Sequence, residues 1–186
     1  MAQNQGLFKT VSLLQSGYDR NEVDHYFKHA REIYEGISSD RFGADDVQSV
    51  SFELVRGGYA THEVDAALDR LAAAFVARHR ADYISKYGSD AWMTALADRA
   101  KTLYPRLSRP AGHRFVRAER GQPGYKINEV DTLCDQLIGY FDQRNHLTAA
   151  QIRGTTFSTA SGSSGYAEGP VDAFLARAVE VLLGVE

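Results

Sequence analysis

Four segments of this 186-residue chain repeat one pattern: GYDRNEVD from Gly17, GYATHEVD from Gly58, GYKINEVD from Gly124 and GYAEGPVD from Gly165. Each has Gly-Tyr, then four residues, then Val-Asp. At average residue usage a single match has a chance on the order of one in 100,000 per position. Four are not accidental. A repeat constrains the fold more than any local propensity, because like units must fold alike and bury their apolar faces against one another. The pattern residues are therefore the first structural candidates: Gly17, Tyr18, Val23 and Asp24; Gly58, Tyr59, Val64 and Asp65; Gly124, Tyr125, Val130 and Asp131; Gly165, Tyr166, Val171 and Asp172.

The spacing groups the four copies two by two. Gly17 to Gly58 is 41 residues, Gly124 to Gly165 is again 41, and the middle gap is 66, so the first pair maps onto the second with an offset of 107. Flanking residues agree. Phe8 lies nine before Gly17 and Phe115 nine before Gly124, while Val47 and Ile152 each lie five before Phe52 and Phe157. The chain divides on this basis into repeat pair one (1–75), a helical insert (76–106) and repeat pair two (107–186).

After each Val-Asp the apolar residues recur at positions 0, 4, 7 and 11, one face of an amphipathic helix. Copy one has Val23, Phe27, Ala30 and Tyr34, and copy two Val64, Leu68, Leu71 and Phe75. Copy three has Val130, Cys134, Leu137 and Phe141, and copy four Val171, Leu175, Ala178 and Leu182. Asp19 and Glu22 are spaced as the N-cap and N3 of a capping box, and Pro170 suits a first helical turn. The glycine before each tyrosine allows a close backbone approach or a positive φ. The tyrosine then packs beside the helix start with its hydroxyl turned to solvent or a partner. Residues ahead of each Gly-Tyr read as extended or looped. Asp45 to Val47 and Thr148 to Ile152 read as single helical turns, Thr148 as a cap. In the insert the helix from Thr61 runs on to Tyr87 and stops at Gly88. Ser89 or Asp90 caps a further helix carrying Trp92, Leu96 and Leu103 and ending near Pro105, with Trp92 in the core. The fold class is mainly α: four loop-plus-helix repeats in two pseudo-twofold pairs, with a helical insert between them. A helix from Arg20 to Glu35 is about 24 Å long, and the return stretch Gly36 to Gly43 spans about 26 Å when extended. A parallel return is feasible and an antiparallel hairpin easier.

Composition narrows the function. Apolar residues make up 44% and charged residues 24%, as in ordinary globular proteins. A formal charge of −3 argues against nucleic-acid binding, which needs clustered Lys and Arg. Cys134 is the only cysteine, which suits a reducing cytoplasm. The start MAQNQGLFKT lacks a signal-peptide pattern, and no window approaches the length of an apolar membrane span. Any membrane contact is peripheral at most.

The pattern F-x(6–9)-GY-x4-VD followed by a helical apolar face resembles the N-terminal domain of DivIVA proteins. Copy one (Tyr18-Asp19, Glu22-Val23-Asp24) and copy four (Val171-Asp172-Ala173-Phe174-Leu175) match best. Copies two and three replace the acid after Tyr with Ala60 and Lys126. The resemblance covers the motif segments and leaves the insert unexplained. It implies a cytoplasmic, non-enzymatic scaffold of Gram-positive, especially actinobacterial, cells that self-associates and recruits protein partners at poles, septa and the membrane periphery. Two departures stand out. No long heptad tail follows any copy. The positions just before Gly-Tyr, where the family places an aromatic and a basic residue against the membrane, hold Gln15-Ser16, Arg56-Gly57, Gln122-Pro123 and Ser163-Ser164.

Sharper chemical readings lose to structural ones. Cys134 replaces Phe27, Leu68 and Leu175 at its repeat position and reads as core, not as a nucleophile. His25 and His29 have metal-ligand spacing but no third ligand, and read as solvent-facing. The run SGSSG from Ser161 reads as a flexible loop. The four aspartates after Val are expected to accept backbone N–H bonds from a crossing segment. No catalytic residue, cofactor or metal is expected. The leading expectation is a protein-interaction module linked to division, polarity or envelope growth. The alternative is a soluble regulatory or small-ligand-binding adaptor on the same fold.

Overall fold

The computed structural model describes residues 6–38 and 42–185; the first residues of the chain and positions 39–41 of the Gly36–Gly43 return stretch lie outside the described residues. The protein is mainly helical with small sheets and divides into two compact units, Met1–Arg78 and His79–Glu186.

The first unit contains β1 (Ser16–Tyr18), α1 (Arg20–Tyr34), α2 (Ala44–Ser49), β2 (Leu54–Arg56) and α3 (Thr61–Tyr87) as far as Arg78. β1 and β2 pair antiparallel in the register Ser16↔Arg56, Gly17↔Val55, Tyr18↔Leu54. The chain turns out of β2 at Gly57, whose φ of +69° other residues adopt at a cost. Asp19 caps α1, its carboxylate accepting the N–H groups of Asn21 and Glu22 at 2.9 and 3.0 Å.

Of the two returns the sequence leaves open, this unit takes the parallel one. Val23 and Val64, each the first repeat position of its helix, share one cluster with Tyr59, while Ala30 and Ile33 pack with Ala72 and Phe75 further along. The Tyr34 and Phe75 rings meet at 5.6 Å. Start meets start and end meets end, so α1 and α3 run parallel. The return is possible because α2 and β2 lie within it: Val47, 3% exposed, anchors α2 in the cluster of Ala30 and Phe75 on the way back. Val23, Tyr59 and Val64 are fully buried, each stabilising the unit by about 1.5–3 kcal/mol relative to exposure.

The second unit takes the rest of α3, then α4 (Ser89–Lys101), α5 (Tyr104–Leu107), β3 (Pro123–Lys126), α6 (Ile127–Phe141), α7 (Ala149–Arg153), β4 (Thr159–Ser161), β5 (Gly165–Tyr166) and α8 (Glu168–Val185). β3 is the central strand, flanked antiparallel by β4 and β5. With β2 and β4 counted from Phe52 and Phe157, its register with β4, Pro123↔Ser161, Gly124↔Ala160 and Tyr125↔Thr159, equals that of β1 with β2. Ser161–Gly165 is not the flexible loop expected of it. A single 3₁₀ turn, Gly162–Ser164, joins β4 to β5, with Gly162 at φ +53° in the place of Gly57.

α3 ends at Tyr87 as its stop signal requires, with Gly88 at φ +87°. Gly88 is itself the N-cap of α4, so neither Ser89 nor Asp90 caps it. Leu103 lies beyond α4, at the N-cap of α5, and Pro105 opens that short helix where it was expected to end the previous one. A missing N–H costs nothing in a first turn. Trp92 is 3% exposed, and its indole N–H donates to the Gly184 carbonyl at 3.2 Å, seating α4 on the end of α8. Thr148 caps α7 in a reciprocal box with Gln151.

Candidate functional site

The Gly-Tyr corners meet one another. In the first unit Tyr18 N–H donates to Tyr59 O at 2.9 Å, and Tyr59 N–H donates to Tyr18 O at 2.8 Å. The motif glycines serve close approach, not positive φ. A Cβ on Gly17 would lie 2.3 Å from the Tyr59 carbonyl oxygen, one on Gly58 2.4 Å from that of Tyr18, and one on Gly124 2.4 Å from that of Tyr166. Tyr125 and Tyr166 are partners in the β3–β5 register.

The tyrosine hydroxyls then cross to the aspartate of the other copy. Tyr59, with no exposed surface, donates to the Asp24 carboxylate at 2.9 Å, and Tyr166, equally buried, donates to Asp131 at 3.1 Å. The opposite crossings are Tyr18 with Asp65 and Tyr125 with Asp172. Burial and the facing aspartate push the Tyr125 hydroxyl up to about 12 and raise that of Tyr18. Burial also raises the carboxyls of Asp65 and Asp172, against the opposing effect of their tyrosine partners. Each hydroxyl of the buried pair also accepts a backbone N–H, from Leu7 to Tyr59 at 3.0 Å and from Arg114 to Tyr166 at 3.1 Å. Phe8 and Phe115 stack edge-on against these same rings at 5.4 and 5.3 Å.

The expected backbone N–H bonds to the aspartates are largely made elsewhere. Only Asp131 accepts one of those described, from Gly112 at 2.6 Å. The glutamates two residues before each aspartate take that role. Asp19 N–H donates to Glu53 O, and Glu53 N–H donates back to the Glu22 carboxylate at 2.8 Å. Ala60 and Glu63 hold Lys9 in the same way, and Lys126 and Glu129 hold Ser158. In copy four Ala167 N–H donates to Val116 O, but Pro170 replaces the glutamate. The box expected within α1 is thus closed across the neighbouring strand. A glutamate at N3 was legible; its acceptor role toward a residue 31 positions away was not.

These glutamates carry a pH dependence. The Ser158 N–H holds the Glu129 carboxyl below its ordinary value of 4.5, and the Lys9 N–H does the same for Glu63. A depressed carboxylate contributes stability that is fully present above its unfolded pKa and is lost as pH falls through the folded value. Glu129→Gln should therefore flatten the fall in melting temperature between about pH 5 and 3, while leaving a deficit at pH 7. Thermal melts of both proteins across that range check it; parallel curves would refute the assignment.

The remaining sequence candidates have plain surroundings. Cys134 has no exposed surface, and burial pushes its thiol up to about 12, far from a reactive thiolate. His25 is exposed, and the His29 ring lies 6.1 Å from Phe42. Among the described residues no group of His, Cys, Asp and Glu could hold a metal ion, and no helix is long and apolar enough to cross a membrane. Arg114 was missed. It is 5% exposed and donates to the Asp131 carbonyl at 2.7 Å and to the Asp135 carboxylate. Its counterpart in the first pair is Leu7, so the repeat gave no signal for it.

No family model, curated protein or solved structure matches the chain.

Proposed function

We propose that the chain is a non-enzymatic scaffold or protein-interaction module of the DivIVA type, acting in cell division, polarity or envelope growth. In this reading its four motifs form two pseudo-twofold pairs, each an internal version of the dimer that the resemblance implies. The reciprocal crossing of the Gly-Tyr corners carries the proposal. In the first unit Tyr18 and Tyr59 exchange backbone hydrogen bonds, and each tyrosine faces the other copy's aspartate. Such i-to-j and j-to-i contacts are what a twofold interface makes. The matching strand registers at Gly17 and Gly124 support the same construction in the second pair.

The Gly-Tyr corners and the aspartates they face are occupied in holding one copy to the other, so function falls to the outer surfaces. Partners are proteins, and self-association is part of the proposal. The place of action is the cytoplasm, at the membrane periphery, poles or septum. A fluorescent fusion expressed in an actinobacterial cell tests this directly. Foci at poles or septa are expected; uniform signal would overturn the polarity and division reading.

A further inference from the structure

We infer that an open groove on the first unit docks a short amphipathic, acidic helix from a partner protein. The inference rests on the scaffold reading above and names the surface that such a module would use. The groove has a volume of about 570 Å³ and an apolar floor of Leu7, Phe8, Phe27, Ala67 and Leu71. Lys28 and Arg31 line it beside Asp24, whose carboxylate is taken up by the Tyr59 hydroxyl. That volume suits one or two helical turns of apolar side chains.

The second unit shows what covers the equivalent face. By the offset of 107, Phe8 corresponds to Phe115, Phe27 to Cys134, Lys28 to Asp135 and Arg31 to Ile138. There the chain's own α5 lies on α6. The Tyr104 ring packs 5.6 Å from Phe141, the Arg106 guanidinium sits 4.9 Å over Phe115, and Leu107 is 4% exposed. Phe174, in the place of Ala67, fills more of the space against Phe115 at 5.3 Å. Among the described residues of the first unit no counterpart of α5 lies on this face, and Leu7 beside it is 61% exposed.

Charge chooses the occupant. The covering segment of the second unit is basic, with Arg106, Arg109 and Arg114, and Arg114 meets Asp135. In the first unit that aspartate is Lys28, and Arg31 adds a second cation where the second unit has Ile138. A second copy offering its own α5 segment would bring like charge to like charge. An acidic helix with apolar residues three apart is the complement. Among the described residues Lys28 and Arg31 pair with Glu32 and Glu35 on the exposed side of α1, at 3.8 and 2.7 Å. Exposed pairs of that kind are weak and easily exchanged.

A display library of short helical peptides, panned against the full chain, supplies the probe. Enriched sequences are expected to combine Leu or aromatic residues three apart with Asp or Glu. A synthetic peptide of the enriched sequence should shift the amide resonances of Leu7, Phe27 and Leu71 in the labelled chain. Its affinity for the double variant Lys28→Glu, Arg31→Glu should fall by on the order of tenfold or more. Both changes are at solvent-exposed side chains, and an unchanged melt of the variant shows that it still folds. No enrichment, enrichment of basic peptides, or undiminished binding to the double variant would overturn the inference. So would concentration-dependent self-association that the double variant abolishes, since the occupant would then be a second copy. Polar or septal foci of the wild-type fusion with an unoccupied groove would sink this inference alone. Uniform fusion signal with the groove binding intact would sink the scaffold reading instead.

Discussion

Gly17→Ala is expected to destabilise the first unit by about 3 kcal/mol or more, at or beyond the upper end of the range for overpacked sites. The added Cβ would lie 2.3 Å from the Tyr59 carbonyl oxygen, 2.8 Å from the Gly58 carbonyl carbon and 2.9 Å from that of Tyr59. All three are backbone atoms, so no side chain can swing away. Relief requires the two corners to part, which lengthens the paired Tyr18–Tyr59 hydrogen bonds and withdraws the Tyr59 hydroxyl from Asp24. For a chain of this size the melting temperature should fall by roughly 6–12 °C. The control is Gly169→Ala in the first turn of α8, where nothing lies within 4 Å of the added atom. There alanine should be neutral or stabilising by up to about 1 kcal/mol, through helix propensity. Urea melts of the three proteins separate the cases. If Gly17→Ala melts with the wild type, the corner contact does not hold the unit together.

Arg114→Ala is expected to cost about 3–5 kcal/mol, the range for removing one partner from a buried ion pair. The guanidinium is 6% exposed and reaches the Asp131 carbonyl, the Asp135 carboxylate and, at 3.4 Å, the Arg109 carbonyl. Its loss leaves Asp131, 8% exposed at its side chain, with the Tyr166 hydroxyl and the Gly112 N–H as its hydrogen-bond donors. Arg114→Lys should recover little, because one ammonium cannot reproduce a planar five-donor fork. Arg114→Leu, which installs the residue found at the same place in the first pair, should recover part of the loss through apolar packing. Denaturant melts of the three variants test this ordering. Equal stability of the lysine variant and the wild type would show that a point charge suffices there.

The two cases differ in how far they were legible in advance. Gly17 was marked by the repeat itself, and glycine before a large side chain already suggests a crowded backbone. Arg114 carries no repeat signal, since its partners Asp131 and Asp135 come from α6 and its counterpart is Leu7. The 0, 4, 7, 11 pattern located the core face well: Val23, Val64, Val130 and Val171 have no exposed surface. Tyr34, last in its row, is 41% exposed, because α1 ends there and its ring only edges against Phe75. α8 buries more than one face, including Phe174, Val179, Val181 and Leu183. The pattern could not show this, because α4 and α7 reach it from elsewhere in the chain.

What the sequence alone determined was local: the stop of α3, the start of α7 and the first apolar face of each motif helix. Gly88 after α3, Thr148 before α7 and the periodic valines are written in neighbouring residues, because caps and periodicity act within one or two turns. Only tertiary structure decided the partners. Parallel packing of α1 on α3, the crossing of each tyrosine to the other copy's aspartate, and the reach of Glu22 to Glu53 depend on distances between segments far apart in the chain. An apolar stripe states that a face must be buried; it carries no information about what buries it.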